Sequence, residues 1–247
     1  MTTSFFDTMP RIIGHRGARG LAPENTLVSF RKAAEVGTKS IEIDVTLTAD
    51  GVPVIHHDMD VKRCTDGSGP ILLKTFEEIR DLDAGSWFSD QYRGVRIPTL
   101  EETLDCLADL GISLNLEVKP CAGWQVPTAE TVGQFLNTHL KDRFPILLSS
   151  FDIEALVTIG RITPHLPLGY LTEAIAPDWE KRLSEAGAAS LHVQREFVTE
   201  AAVRDVQSAG YKFLVYTVND EDEAKRLLDW GVDAVITDYP DRLLPLI

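Results

Sequence analysis

A chain of 247 residues that is 44% hydrophobic and 25% charged is long enough to bury one large core and carries no bias toward disorder. Its formal net charge of -14 repels polyanions, which argues against binding nucleic acid or anionic membrane and requires an anionic substrate to meet a local positive site. Three cysteines, Cys64, Cys106 and Cys121, form an odd count without metal-type spacing and speak against a disulfide framework or a zinc site.

In chain order, residues 1–11 hold Phe5 and Phe6 but lack the charged start and apolar run of a secretion signal, and no 18-residue apolar segment follows. A cytoplasmic protein without stable membrane association is expected. Short β-branched or apolar runs then alternate with amphipathic stretches of helical length. Strands are predicted over residues 11–15, 40–45, 113–119, 146–150, 168–171, 190–193, 213–218 and 234–238. Helices are predicted over 26–36, 99–110, 129–140, 152–162, 178–186, 200–209 and 220–230, several of them stopping at a glycine (Gly37, Gly111, Gly187, Gly210, Gly231) suited to a left-handed C-terminus. Eight such units without a terminal composition shift point to a single α/β domain over 1–247, a closed (β/α)₈ barrel in preference to an open doubly wound sheet. One segment breaks the rhythm: residues of about 46–98 hold the turns Asp50-Gly51 and Asp66-Gly67-Ser68-Gly69 and a strand-like run over 52–57. This is too long for an ordinary connection and reads as an insertion after the second strand, over the barrel top.

The second strand reads Ile41-Glu42-Ile43-Asp44-Val45, so its two acids point to one face. In a barrel both faces of a strand are covered, and buried acids need partners or a metal. The turn at Asp50-Gly51 returns the chain as a candidate hairpin that brings His57 beside Ile43 and Asp44, while His56 faces away in a structural role. Asp58 either orients the His57 ring or forms an ordinary turn. In the third strand Glu117 and Lys119 share a face near its C-terminal end, adding a third carboxylate and a cation. A hard divalent cation, Mg²⁺ or Ca²⁺, would relieve the repulsion of three converging acids; an internal ion-pair network with Lys119 is the bland alternative. His15 ends the first strand on the barrel rim, next to Arg16, whose guanidinium suits phosphate oxygens. For Ser149, Ser150 and His192, packing and local hydrogen bonding are the expected roles. Trp87, Phe88 and Trp124 either wall the site or pack the insertion.

Taken in order, Gly14-His15-Arg16-Gly17, Pro23-Glu24-Asn25-Thr26, Glu42-Ile43-Asp44-Val45, Asp50-Gly51, His57-Asp58, Pro98-Thr99-Leu100-Glu101-Glu102, Glu117-Val118-Lys119 and Thr237-Asp238-Tyr239-Pro240 resemble the glycerophosphodiester phosphodiesterase family. The resemblance implies a TIM barrel with a small insertion after the second strand. It implies that Glu42, Asp44 and Glu117 bind one divalent metal, that His15 and His57 are the catalytic acid/base pair, and that Arg16 and Lys119 bind a small glycerophosphodiester substrate at its phosphate. Where family members often carry a tryptophan in the seventh-strand motif, this chain has Tyr216, which keeps an aromatic wall. Two rivals are a related barrel acting on lysophospholipid head groups, which would need an apolar rim, and a non-catalytic barrel that carries a phosphorylated polyol.

Overall fold

The structure, a computed structural model, describes residues 4–140 and 143–247. Eight parallel strands, β1 (Ile12–His15), β2 (Ser40–Leu47), β4 (Ser113–Val118), β5 (Ile146–Ser150), β6 (Leu168–Thr172), β7 (Ser190–Gln194), β8 (Lys212–Tyr216) and β9 (Ala234–Thr237), form one sheet. It closes because β1 pairs with β9 on one side and with β2 on the other. This is the (β/α)₈ barrel expected from the alternation. A short strand, β3 (Pro53–Ile55), adds antiparallel to the end of β2.

Helices α2 (Leu27–Glu35), α4 (Leu100–Leu110), α5 (Gln125–His139), α6 (Ile153–Ile162), α7 (Trp179–Ala186), α8 (Glu200–Ser208) and α9 (Glu221–Asp229) surround the sheet. They start at side-chain caps where the sequence supplies them: Thr26, Thr99, Asp152, Thr199 and Asp220 each accept a backbone N–H of the first turn. The outward residues of the strands, such as Ile41, Ile43, Leu114 and Leu116, pack with Phe30, Leu104, Leu156 and Val203 of the helices into the main core. Inside the barrel an apolar cluster lies on one side of the lower half. Ile13, Leu147, Leu214 and Ile236 meet Phe5 of α1 (Phe5–Thr8), a four-residue helix that precedes β1 and closes the end where the strands begin. Nothing in the sequence pattern announced this plug, since one helical turn shows no periodicity.

Several element boundaries differ from expectation. Helix α5 begins at Gln125 rather than near 129, because Pro127 falls in its first turn, where a missing N–H costs nothing. Strand β8 ends at Tyr216 rather than 218. The segment between β2 and α4 carries β3, a turn of 3-10 helix at Val61–Arg63, and α3 (Phe76–Ile79), with its own apolar cluster of Val54, Val61, Ile71, Ile79, Ala84 and Ile97. No helix among the described residues is long and apolar enough to cross a membrane.

His192 lies fully buried on β7, its Nε2 within 2.9 Å of Ser190 Oγ and its Nδ1 without a partner among the described residues. A side chain at Gly169 on the neighbouring strand would come within 2.6 Å of that Nε2, so glycine makes room for the ring. Burial pushes His192 down to about 3 from an ordinary histidine value. A depressed histidine contributes stability that is complete above the unfolded value near 6.5 and is lost as pH falls toward the folded value. The unfolding free energy from urea titrations should therefore decline between about pH 6.5 and 3, by on the order of 4 kcal/mol from this group, and that of a His192→Leu protein should decline less steeply.

Candidate active site

The parallel register aligns His15 of β1 with Glu42 of β2, and Asp44 of β2 with Glu117 of β4. Residues in register on neighbouring strands face the same way, so these four side chains gather inside the upper half of the barrel, at the C-terminal ends of the strands. Carboxylate oxygens of Glu42, Asp44 and Glu117 lie within 4.8 Å of one another, and all three residues are buried. Burial, then the charges of Asp44 and Glu117, push the Glu42 carboxyl well above the usual range. Burial, then Asp44, push Glu117 up to about 7 against the pull of Lys119. Asp44 stays below its ordinary value despite burial, because Arg16, His57 and Lys119 surround it and Asn25 donates to it. Three converging oxygen donors, two of them reluctant to ionise together, fit a hard divalent cation, whose charge would remove the mutual repulsion.

Each residue after β1 has a separate task. Arg16 adopts a left-handed conformation (φ 48°), which turns its side chain back over the barrel. Its Nη1 donates to Glu24 Oε1 at 2.5 Å and its Nε lies 3.4 Å from Asp44 Oδ2 without a hydrogen-bond partner among the described residues. Burial opposes its charge, but Asp44, Glu24 and Glu42 together hold it firmly protonated. Asn25 Nδ2 donates to Asp44 Oδ2 at 2.8 Å, and Thr26 caps α2. Thus Pro23-Glu24-Asn25-Thr26 holds the guanidinium, holds the carboxylate and starts the helix. After β4, on the other side of β2, Lys119 Nζ sits 3.2 Å from Glu117 Oε1 and 3.8 Å from Asp44 Oδ1.

Both histidines are fixed in the same manner. His15 Nδ1 is 2.6 Å from Asp238 Oδ1, and His57 Nδ1 is 2.6 Å from Asp58 Oδ1. Asp58 and Asp238 both lie below the ordinary aspartate value against the effect of burial, so each is an ionised acceptor and each Nδ1 carries the proton. The free nitrogen of His15 is then Nε2, which lies 3.9 Å from Glu42 Oε2. Burial lowers both imidazoles from their ordinary value, with Arg16 acting in the same sense on each. His56 turns away as expected, buried, with its backbone N–H on Asp44 O and its Nε2 3.3 Å from Asp60 O.

The profile of the glycerophosphoryl diester phosphodiesterase family matches residues 15–242, nearly the whole chain. The chain belongs to this family. A glycerophosphodiester phosphodiesterase of Caldanaerobacter subterraneus subsp. tengcongensis is 33% identical over 241 residues, covering 96% of this chain and 97% of that protein. Among solved structures, a phosphodiesterase of Oleispira antarctica in complex with the product sn-glycerol-3-phosphate superposes with a TM-score of 0.96 at 41% identity over 98% of each chain. A glycerophosphodiester phosphodiesterase of Thermotoga maritima superposes with a TM-score of 0.76 at 28% identity, over 96% of this chain and 98% of that one.

In this family member His15, Arg16, Glu42, Asp44, Glu117 and Lys119 are linked by contacts of 3.9 Å or less, with the His57 ring close enough for its charge to act on Asp44, and the structure adds partners that sequence reasoning missed. Asp238 stands 223 positions from His15; its motif was visible but its contact was not. Asn219 Nδ2 donates to Asp238 Oδ2 at 2.8 Å, and Asn219 Oδ1 accepts from the Asp238 backbone at 2.9 Å. The aromatic wall also differs. Trp87 and Phe88 pack edge to face within the insertion, with Trp87 Nε1 donating to Ala84 O. The cleft of about 250 Å³ beside Glu117 and Lys119 is lined instead by Met59, Pro120 and Phe151. Phe151 packs edge to face on Tyr216 at 6.0 Å, so the tyrosine backs the aromatic residue that lines the cleft. Ser149 and Ser150 have the local roles expected, donating to Asn115 Oδ1 and Val118 O.

Proposed function

We propose that this phosphodiesterase hydrolyses small glycerophosphodiesters to glycerol 3-phosphate and an alcohol, using one divalent cation, Mg²⁺ or Ca²⁺, and His15 and His57 as a general acid/base pair. The observation that carries the reading is the pairing of two carboxylate-fixed imidazoles, each at 2.6 Å, with a buried triad of acids. The product held by the Oleispira structure supports the choice of glycerol phosphate.

Glu42, Asp44 and Glu117 would hold the cation, which when bound supplies positive charge to phosphoryl oxygens whose negative charge rises during attack. Arg16 and Lys119, which lie beside different oxygens of Asp44, hold the phosphate. Arg16 Nε is a buried donor ready for an oxyanion, and Lys119 is protonated because Glu117 and Asp44 outweigh its burial. One histidine, neutral at Nε2, takes the proton of the nucleophilic oxygen, and the other, protonated, delivers a proton to the leaving alcohol. The test is product identity. Glycerophosphocholine should yield glycerol 3-phosphate and choline; phosphocholine and glycerol, or binding without turnover in the presence of metal, would refute the reading.

Asp238 holds His15 in its tautomer, as Asp58 does for His57. An Asp238→Ala protein should lose roughly 10- to 100-fold in kcat with little change in KM, checked by steady-state kinetics beside a thermal melt.

A further inference from the structure

The two imidazoles differ in what holds their carboxylates. Asp238 is held by Asn219 and lies 3.5 Å from Arg19 Nη1, and among the described residues none of the inserted segment bonds this carboxylate directly. Asp58 is held by Arg63, from the 3-10 turn Val61–Arg63 of the inserted segment. Arg63 Nε donates to Asp58 Oδ2 at 2.6 Å and its Nη2 to Asp58 Oδ1 at 3.0 Å. The same guanidinium donates from Nη1 to Glu24 Oε2 at 2.9 Å and from Nη2 to Glu24 Oε1 at 2.7 Å. Glu24 also accepts from Arg16 and Arg19.

One planar fork therefore spans two carboxylates, one behind His57 and the other behind Arg16. The turn that carries it is fixed: Val61 is buried in the apolar cluster of the insertion, and Asp60 caps the turn by accepting from Lys62 N at 2.8 Å. Only a guanidinium offers paired, coplanar donors to both carboxylates at once; an ammonium concentrates its three donors on one atom and cannot make the four bonds seen here.

We infer that Arg63 is a positioning residue, through which the inserted segment sets His57 by way of Asp58 and steadies Arg16 by way of Glu24. The inference rests on the roles proposed for His57 and Arg16. The guanidinium itself is partly exposed and touches neither the acid triad nor either imidazole, so its effect on turnover runs through those two carboxylates. Removing it frees Asp58 to leave the His57 ring, whereas Glu24 keeps two arginines. The loss should fall mainly on proton transfer.

Two readouts test this. In Arg63→Ala, kcat should fall roughly 10- to 100-fold while KM changes little and the folded state is retained in a thermal melt. Arg63→Lys should fail to restore kcat, and adding Arg63→Ala to Asp58→Asn should cost no more than Asp58→Asn alone. Independently of turnover, long-range ¹⁵N–¹H spectra should show His57 protonated at Nδ1 in the unaltered protein and a mixture of tautomers in Arg63→Ala. An unaltered kcat in Arg63→Ala, full rescue by lysine, multiplying losses in the double variant or an unmoved tautomer would each overturn the inference. If the unaltered protein turns over no glycerophosphodiester yet the tautomer moves, the proposed reaction falls and the positioning role of Arg63 stands.

Discussion

In a His57→Ala protein kcat for glycerophosphocholine should fall by roughly 10²- to 10⁴-fold, the range for removing a general acid or base, and His15→Ala should do the same. KM should move far less, because the proposed mechanism gives the binding charge to Arg16 and Lys119 and not to the imidazoles. The prediction follows from geometry before electrostatics. Each ring has one nitrogen committed to a carboxylate at 2.6 Å, which leaves the other available in a defined direction. The proposed mechanism puts the two residues in one proton-transfer sequence, so the double variant should be little worse than either single one. Steady-state kinetics on the three proteins decides the point. An unchanged kcat in His57→Ala would remove that residue from the mechanism, and multiplying losses would show that the two rings act separately.

The second large effect concerns the acids. Glu42 has its folded-state carboxyl raised by burial, by Asp44 and by Glu117. A carboxyl raised above its unfolded value contributes stability that is full below that value, near 4.3, and is lost as pH rises through the folded value. At pH 8 the metal-free protein therefore carries a cost that a bound cation removes. Glu42→Gln should raise the melting temperature of metal-free protein at pH 8, with about 2–4 °C for each kcal/mol in a chain of this size. The same substitution should remove most of the stabilisation by Mg²⁺, which in the unaltered protein reaches about 2.7 kcal/mol at a hundredfold excess over the dissociation constant. Thermal melts with chelator and with added Mg²⁺ read both arms. A Glu42→Gln protein that melts lower without metal, or that gains as much from Mg²⁺ as the unaltered protein, would show that the triad is held by Lys119 and Arg16 as a static ion-pair network. A site that costs stability when empty and repays it on loading is the usual balance between function and folding.

The parts of this architecture that follow local rules were readable in the sequence. Ile41-Glu42-Ile43-Asp44-Val45 alternates with period two, and its apolar members do pack outward against helices while its acids turn inward. The hairpin expected from Asp50-Gly51 is present, with Val45 paired to Ile55, and its ladder ends at Ile55, so His57 reaches the site from beyond the strand. What escaped the sequence depends on contacts between distant segments. Phe5 fills the barrel floor because the inner faces of β1, β5, β8 and β9 leave an apolar space there, and no pattern within residues 1–11 encodes that space. Asp238 and Arg63 offer ordinary turn chemistry locally; only closure of the barrel and folding of the insertion bring them behind the two histidines. The same holds for Phe151, which reached the cleft wall in place of Trp87 and Phe88 because the latter are occupied within the insertion.

The central claim is that the buried acids bind a divalent cation required for cleavage of a glycerophosphodiester. Its most direct test is release of glycerol 3-phosphate from glycerophosphocholine and glycerophosphoethanolamine by metal-stripped protein supplied with Mg²⁺, with Ca²⁺ or with neither. Release only after a metal is returned, and none from Glu42→Ala under the same conditions, is the expected result. Equal release by stripped protein, or undiminished metal-dependent release by Glu42→Ala, would contradict it.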